Sequence, residues 1–566
     1  MKTDITPVAK SSWQSDGWFC LAVFAISLAS RIPALLVPPS AFYYNLDEWQ
    51  LGITAIDRYL GVPPIILNKA GGVFGLLSMP LVLVHWITTS GLPRGTAGAL
   101  SSLASYLSTI YCNPRPMFLY MRWLVALISC FGPVFLYLIG EYLTHERWVA
   151  VGCALCLSFQ PIFYQESVMI AGEAWAVTFV LWGLWTLLRW PSPVGVFAAG
   201  FLSAAGVATR ITILPFIAMS FLFAVGVLND RPWKPLERVI SAIRFAAGLL
   251  TGFLFWFPYV WVEPLRFAKN LLGNLDRPGT TSAAYLFIPN WLQAMGYGFA
   301  ALFVLTLALA VWYGVRNRDR AIIGALAVLI IICMPTSLRS NVTYPRYFVA
   351  TVPAVLVTLA LIVRAAGRLK ALWRICVGGL IFVCALTTGA QQLHREVALR
   401  KGDDLMNSLA TLRSLQPSMV AFIPEEALTT YTFDLPEQLQ NRLKERARQK
   451  RNDEGPLVQF LSARGIPAGA GRALLGNFNE YEESQFRRVA ACNCPTSSRL
   501  DMRLYYDRTG VAASTIERLS LADMPLEEAV TDAASMQNVA ILVPYREPRL
   551  GQPFWSGSSK WYWYQR

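Results

Sequence analysis

The chain has 566 residues, of which 55% are hydrophobic and only 15% are charged. Soluble domains carry about 25% charged residues, so this composition argues against an ordinary soluble protein and favours one that lies in a lipid bilayer. Of the net charge of +14, +13 falls on residues 1–394, with 27 Lys and Arg against 14 Asp and Glu, while residues 395–566 hold 22 against 21. Because the excess lies in short loops between apolar segments, it indicates the positive-inside bias and excludes nucleic-acid binding.

Apolar segments recur along residues 1–394, and each approaches the roughly 20 residues that a helix needs to cross the hydrocarbon core. They predict an all-α polytopic membrane domain over 1–394 with about eleven transmembrane helices. The segments are 18–37, 118–140, 148–164, 169–188, 194–209, 211–228, 245–262, 295–314, 321–336, 347–363 and 375–390.

The basic loops predict the orientation of these segments. With the N-terminus in the cytoplasm, Arg147, Arg189 and the basic loops at 231–244, 316–320 and 364–374 all fall on the inner side. No small-residue cleavage site precedes Arg31, so the first segment is predicted to be a retained helix. Nothing resembles a signal for retention in the endoplasmic reticulum, so we expect the bacterial inner membrane, with the C-terminal domain in the periplasm.

Residues 38–117 form a long first outer loop in this topology. Two stretches inside it, 71–88 and 97–112, are apolar enough to be helices that cross the membrane, which would raise the number of spans to about thirteen. Gly71, Gly72, the Met79-Pro80 break and His85 favour helices that lie in the membrane interface instead. The sequence leaves both interpretations open.

Residues 395–566 differ from the rest of the chain and predict an extramembrane α/β domain of the outer side. Met419–Ile423 and Val539–Val543 are typical of buried strands, and Pro436–Arg451 is typical of a charged helix. No glycine-rich phosphate-binding loop is recognisable in this domain.

Carboxylates beside membrane segments are energetically unfavourable and therefore indicate function by default. Asp47 and Glu48 follow the first apolar segment, and Glu166 and Glu173 flank the entry to another segment on the same predicted side. Structural alternatives exist for each: Asp47 as a helix cap, Glu166 as a surface residue of a loop, and Glu173 as the partner of a buried arginine.

Three basic residues on the predicted outer side are candidates to bind an anion: Lys69, Arg210 and Arg346. Arg210 and Arg346 each begin an apolar segment that runs inward from the outer surface, where a lipid-linked phosphate would lie. The structural alternative for all three is a side chain that reaches toward the lipid headgroups.

The order of these motifs resembles that of the membrane glycosyltransferases of the GT-C fold that use polyprenyl-phosphate sugars, especially protein O-mannosyltransferases and lipid A aminoarabinose transferases. The resemblance covers residues 18–390. Two departures are Val62-Pro63-Pro64 where that family commonly has His-Pro-Pro, and Glu173 where it usually has Asp. The matching pieces are Asp47-Glu48, the apolar stretch 71–88, Arg122–Leu127, Ser158–Pro161 with Tyr164 and Glu173, Gly206–Arg210, and Tyr344–Tyr347 with Pro353.

The resemblance implies transfer of a sugar from a polyprenyl-phosphate donor to a hydroxyl of a glycan, glycolipid or protein acceptor, with inversion at the sugar carbon. Asp47 would be the general base, and Glu48 and Glu173 would orient the acceptor or a divalent ion. The donor phosphate would be bound by Lys69, Arg210 and Arg346.

Further candidates complete the predicted site. Glu166 and Tyr344 are accessory or acceptor-binding candidates. A divalent cation, Mg²⁺ or Mn²⁺, is a candidate cofactor, with Asp47 and Glu173 as its ligands.

Two other classes of protein fit the same composition. A transporter or flippase of a lipid-linked or anionic substrate would also carry charged residues beside membrane helices, although such proteins often show internal repeats and none is seen here. A receptor whose outer domain binds a ligand would need fewer membrane helices than this chain has.

Overall fold

A computed structural model describes the following residues of the chain: 13–36, 51, 72–91, 102, 106, 115–210, 213–228, 233–257, 259–262, 264–265, 268, 292, 295–338, 348–366, 371–401, 419–422, 517–520, 539–543, 552, 555–556 and 562–565.

The described part of residues 1–401 is helical. Its helices, numbered in chain order, are α1 (Trp13–Leu36), α2 (Gly72–Ser90), α3 (Arg115–Thr144), α4 (Arg147–Phe159), α5 (Pro161–Ser167), α6 (Glu173–Arg189), α7 (Pro193–Thr209), α8 (Leu214–Ala224), α9 (Pro235–Trp256), α10 (Tyr259–Val262), α11 (Tyr297–Asn317), α12 (Arg320–Leu338), α13 (Thr351–Ala366) and α14 (Ala371–Lys401).

Five of the described helices are long and apolar enough to cross a membrane: α1, α2, α3, α9 and α11. The bent pair α4–α5 makes a sixth if it is one span, and α7, α8, α13 and the Arg320–Cys333 part of α12 are shorter apolar helices. Each predicted apolar segment therefore contains a helix, which confirms the helical character of the membrane domain. By length and composition α2 suits a crossing helix, whereas most of 97–112 lies outside the described residues.

Two predicted spans differ from the structure. The segment 148–164 is two helices, because α4 ends at Phe159 and α5 begins at Pro161 with a bend of 62° between them. In the described residues 213–228 of the segment 211–228, the α-helix is the short α8, which gives way to a turn at 225–228 where Gly226 has a φ of +77°. Both differences arise at a proline or a glycine, the residues that most readily end a helix.

The core of the helical part surrounds α13. Every side chain of α13 from Thr351 to Val363 is buried, which is the pattern of a helix enclosed on all sides. The same apolar core contains Phe163 of α5, Val180 of α6 and Phe216 of α8. The described candidate residues Glu166, Glu173 and Arg210 lie on or beside α5, α6 and α7, which contribute to this core.

Helices α6 and α7 pack together closely because small residues line their contact. A Cβ added to Gly183 of α6 would lie 2.7 Å from the carbonyl oxygen of Ala199 and 2.8 Å from Ser203 Oγ, both in α7. Small residues let helix backbones approach in a membrane, where dispersion and close packing drive helix association.

We expect Gly183→Ala to lower the free energy of unfolding by about 1–3 kcal/mol, because the added methyl group must push α7 away from α6. The control is Gly379→Ala in α14, where an added Cβ meets no atom within 4 Å. Thermal unfolding of the detergent-purified proteins measures the stability of each variant relative to the wild type. Equal midpoints of thermal unfolding for the two variants would show that close packing at Gly183 does not stabilise the contact between α6 and α7.

The described strands of the C-terminal region form one five-stranded sheet with the order β2-β1-β3-β5-β4. β1 (Met419–Phe422) and β3 (Val539–Val543) lie at the two predicted strands and pair in parallel, with Met419 opposite Val539. Three strands were not predicted: β2 (Glu517–Ser520), β4 (Trp555–Ser556) and β5 (Tyr562–Gln565). The predicted helix at 436–451 lies outside the described residues.

The chain divides into two compact units. One comprises Met1–Val37, Asp47–Val82 and Leu119–Arg395, and the other comprises Pro38–Leu46, Leu83–Phe118 and Glu396–Arg566. The helices α4 to α13, which carry the candidate site, belong to the first unit, and the five-stranded sheet belongs to the second.

Candidate functional site

Three of the predicted site residues lie in the described part of the chain: Glu166, Glu173 and Arg210. The other five, Asp47, Glu48, Lys69, Tyr344 and Arg346, lie outside the described residues.

Glu173 and Arg210 form an ion pair where α6 begins and α7 ends. Arg210 Nε lies 2.7 Å from Glu173 Oε1, although the N–H does not point along the line between them as in a well-aligned hydrogen bond. The carboxylate side chain is 1% exposed and the guanidinium side chain is 14% exposed. Glu173 therefore pairs with an arginine, as its structural alternative expects, although this arginine is only partly buried, and it is the residue predicted to bind phosphate.

The local sequence explains why these two charges meet. Glu173 is the first residue of α6, where the positive end of the helix dipole favours a carboxylate. Arg210 follows the last residue of α7 in an extended conformation, and its N–H donates to the carbonyl of Gly206 at 2.9 Å. A Cβ on Gly172 would lie 3.0 Å from the carbonyl oxygen of Thr209, so glycine there permits the close approach.

Glu166 lies in the last turn of α5 and is only 4% exposed. The alternative that it is a surface residue of a loop is therefore wrong. The connection between α5 and α6, residues 168–172, is buried along its whole length. A buried carboxylate on a buried connection keeps Glu166 among the candidate functional residues.

The first turn of α6 is held by contacts to two other helices. Trp175 is fully buried, and its Nε1 donates to the carbonyl oxygen of Val125 in α3 at 3.2 Å. The ring of Phe74 in α2 packs on Trp175 with the ring centroids 5.4 Å apart. These contacts tie the start of α6, and therefore the position of Glu173, to α2 and α3.

The helix break between α4 and α5 lies close to these residues in the sequence. Gln160 is buried, and its side-chain oxygen accepts from the N–H of Phe163 at 2.8 Å, which caps α5. Pro161 occupies the first position of α5, where its missing N–H does no harm. Broken membrane helices are tolerated where neighbouring helices satisfy the freed backbone groups.

Arg31 of α1 satisfies one of these backbone groups, the carbonyl of Ser158, and the sequence-based assignment of site residues did not include it. It is fully buried, and it contacts Ser158 of α4 and Ser167 of α5. The available signal was a charged residue inside an otherwise apolar segment, which by itself marks a candidate functional position.

The described residues offer little support for a divalent cation. Mg²⁺ and Mn²⁺ are bound by several oxygen ligands, and no group of three or more His, Cys, Asp or Glu side chains in the described part of the chain is placed to hold a metal. Glu173 Oε1 already lies against a guanidinium, which would repel a second cation at the same oxygen. Glu173 Oε1 is therefore not placed to bind a metal, and Asp47 lies outside the described residues.

The described arrangement can bind and orient an anion more readily than it can perform acid–base chemistry. A guanidinium carries five N–H donors in a planar fork, and a carboxylate at one edge fixes the direction of that fork. The proton-transfer role remains with Asp47 as a prediction.

No protein-family model matches the chain, and no curated protein matches it. Among solved structures, the chain is similar to the archaeal oligosaccharyltransferase AglB from Archaeoglobus fulgidus in complex with an inhibitory peptide and a dolichol-phosphate, at 15% identity and a TM-score of 0.36, over 69% of this chain and 56% of that one.

Two further structures of the Archaeoglobus fulgidus oligosaccharyltransferase are also similar. The complex with zinc and sulfate has 14% identity and a TM-score of 0.32, over 65% of this chain and 53% of that one. The apo form has 13% identity and a TM-score of 0.38, over 94% of this chain and 70% of that one. The chain thus spans just over half the length of the first two structures.

Proposed function

We propose that this chain is an integral membrane glycosyltransferase of the GT-C type. It would move a sugar from a polyprenyl-phosphate donor to an acceptor hydroxyl on the outer face of the membrane, with inversion. The observation that supports this most is the buried ion pair of Glu173 and Arg210 at the junction of two apolar helices. A buried ion pair adds little stability compared with apolar residues of the same size, so its presence favours a role in binding or catalysis.

In the proposed reaction Asp47 takes the proton of the acceptor hydroxyl. The acceptor oxygen then forms a bond to the sugar carbon, while the bond from that carbon to the donor phosphate oxygen breaks. The electron pair of the broken bond stays on the polyprenyl phosphate, which gains negative charge. Arg210, Arg346 and Lys69 would stabilise that charge.

The ion pair refines the proposed role of Glu173. Because its carboxylate lies against Arg210 Nε, we assign it to orient the guanidinium toward the donor phosphate. Glu48, Glu166 and Tyr344 remain the candidates for orienting the acceptor.

The experiment that tests this function starts from cells that lack the protein. Mass spectrometry of their lipids should show an accumulated polyprenyl-phosphate sugar, which serves as the donor, and their membranes contain the unmodified acceptor. Adding the purified wild-type protein to both should convert the lipid to free polyprenyl phosphate and glycosylate the acceptor. If the glycosylated lipid is consumed without any new glycosylated acceptor, the chain is not this transferase.

One observation favours the transporter or flippase as a second candidate. The bent pair α4–α5 is a broken helix inside the helical core, and discontinuous helices are common at the substrate sites of transporters. The same assay separates the two functions. A flippase would leave the mass of the lipid-linked sugar unchanged and only move it between the leaflets.

Arg346→Ala should raise the KM for the donor by roughly tenfold or more, while the KM for the acceptor changes little. The reason is that a charge-assisted hydrogen bond to phosphate contributes about 1.5–3 kcal/mol. Steady-state kinetics with each substrate varied in turn measure the two constants. An equal rise in both would indicate that Arg346 stabilises the fold and does not bind the donor phosphate.

A further inference from the structure

Arg31 is a charged residue in the interior of the helix bundle, and among the described residues its hydrogen-bond acceptors are neutral oxygens. It is 0% exposed, near the C-terminal end of α1. In the part of the chain that the structure describes, its contacts are to hydroxyl and carbonyl oxygens and to the rings of Phe163 and Tyr164, whose centroids lie 5.8 and 5.2 Å from its Cζ. Arg210 differs from Arg31 because it forms an ion pair with a carboxylate, that of Glu173.

The contacts of Arg31 reach both sides of the break between α4 and α5. On the α4 side, Nη1 donates to Ser158 Oγ at 3.2 Å and Nη2 donates to the Ser158 carbonyl oxygen at 3.0 Å. On the α5 side, Nε donates to Ser167 Oγ at 2.6 Å. Within α1, Nη1 also donates to the carbonyl oxygen of Ser27 at 2.6 Å and to Ser30 Oγ at 3.2 Å.

The helix break creates the need for such a donor. The carbonyl groups in the last turn of α4, including that of Ser158, have lost the helical N–H partners that a continuous helix would supply. No water is available in a bilayer core to replace them. Arg31 donates to one of these carbonyls, and the Tyr164 hydroxyl adds a second link between α5 and α1 by donating to the Ser30 carbonyl oxygen at 2.9 Å.

The fork of the guanidinium matters as much as its charge. Ser158 and Ser167 lie on opposite sides of the break, and a planar group with five donors reaches both at once. A lysine ammonium carries the same charge on a single atom, so it cannot contact both helices in the same geometry. A lysine at position 31 therefore separates two possible roles of Arg31. Holding both helices requires the planar guanidinium, whereas a purely electrostatic role requires only the positive charge.

We infer that Arg31 is a positioning residue of the candidate site. By joining α1 to both sides of the break, it holds α5 and the buried connection to α6 in one position, and with them Glu166, which is adjacent to Ser167. Its effect on transfer rests on the proposed function, with Glu166 orienting the acceptor. Its effect on the helix break rests on the hydrogen bonds alone.

The test uses Arg31→Lys together with a matched pair of serine variants. Ser167→Ala removes a hydroxyl that Arg31 contacts across the break, whereas Ser30→Ala removes one that it contacts within α1. In hydrogen-exchange mass spectrometry of the full chain in lipid nanodiscs, Arg31→Lys and Ser167→Ala should exchange faster than the wild type over residues 160–172. Ser30→Ala should match the wild type there, and α13 should be unchanged in all three variants.

The same variants are assayed for transfer with the donor lipid and the acceptor membranes from cells that lack the protein. Arg31→Lys and Ser167→Ala should raise the KM for the acceptor by about tenfold and leave the KM for the donor unchanged. A tenfold rise corresponds to a loss of roughly 1.4 kcal/mol of binding free energy, as expected when one acceptor contact is misplaced. Partial loss of folded protein would lower kcat and leave both KM values as they are.

Two results would overturn the inference. In the first, both Arg31→Lys and Ser167→Ala exchange hydrogen over residues 160–172 at the wild-type rate. In the second, Ser167→Ala shows the same exchange and the same kinetics as Ser30→Ala. If Arg31→Lys does not fold, the serine pair alone decides between these results. If exchange responds as expected but the wild-type protein transfers no sugar, the proposed function fails while the role of Arg31 at the helix break stands.

Discussion

Arg210→Gln should lower the free energy of unfolding by about 3–5 kcal/mol, because it takes the guanidinium away from a carboxylate that is 1% exposed. Glu173→Gln should be destabilising for the converse reason, since a charged Arg210 would keep its low exposure without the Glu173 carboxylate beside it. The double variant removes both charges, so its loss should be smaller than the sum of the two single losses, by about 0.5–3 kcal/mol.

Thermal unfolding of the detergent-purified proteins measures this cycle. Arg316→Gln is the matched control, because Arg316 is exposed and its guanidinium lies 5.6 Å from the ring of Trp312, a contact worth about 0.5–1 kcal/mol. If the loss of unfolding free energy in the double variant equals the sum of the losses in the two single variants, Glu173 and Arg210 do not stabilise each other.

Arg210→Lys separates the structural role of the pair from the proposed binding role. It keeps a positive charge near Glu173, so much of the stability should be retained, but it loses the planar fork. If Arg210 binds the donor phosphate, the KM for the donor should rise while the midpoint of unfolding stays closer to the wild type than that of Arg210→Gln. Loss of stability without any change in the KM would limit Arg210 to a structural role.

Asp47→Asn should lower the rate of sugar transfer by about 10²–10⁴-fold, the usual contribution of a general base, because the amide cannot accept the proton of the acceptor hydroxyl. Asparagine has nearly the shape of aspartate, so binding of the donor lipid should be retained. Single-turnover transfer measured with saturating donor, together with direct binding of the donor lipid to the purified variant, checks both expectations.

The control for this variant is Asp57→Asn, which removes a carboxylate from the same predicted outer loop. Asp57 has no role in the proposed reaction, so its variant should transfer at a rate near that of the wild type. Full activity of a normally folded Asp47→Asn protein would remove Asp47 as the general base and leave the proposed mechanism without its first step.

Sequence predicted the elements of this chain well where the physical signal is local. Apolar runs near the length of a bilayer predict helices, since the backbone in lipid must satisfy its own hydrogen bonds, and each predicted run contains one. The runs of apolar residues at 419–423 and 539–543 likewise predicted β1 and β3. The strands that were missed carry charged residues, as in Glu517–Ser520, or aromatic residues beside polar ones, as in Tyr562–Gln565.

The sequence also identified Glu166, Glu173 and Arg210 as candidates, because a charged residue beside an apolar segment can be recognised without any structure. It could not show that Glu173 and Arg210 are partners. Their contact depends on how closely the start of α6 approaches the end of α7, which in turn depends on the absence of a side chain at Gly172.

By itself, then, the sequence determined that this is a helical membrane protein with acidic and basic residues beside its helices. The tertiary structure decided which of these charges meet, that Glu166 is buried, and that Arg31 joins α1 to both sides of a broken helix. The physical reason is that hydropathy and helix formation are properties of short stretches of chain. The partner of a buried charge is chosen by helix packing among residues far apart in sequence, such as Arg31 and Ser167.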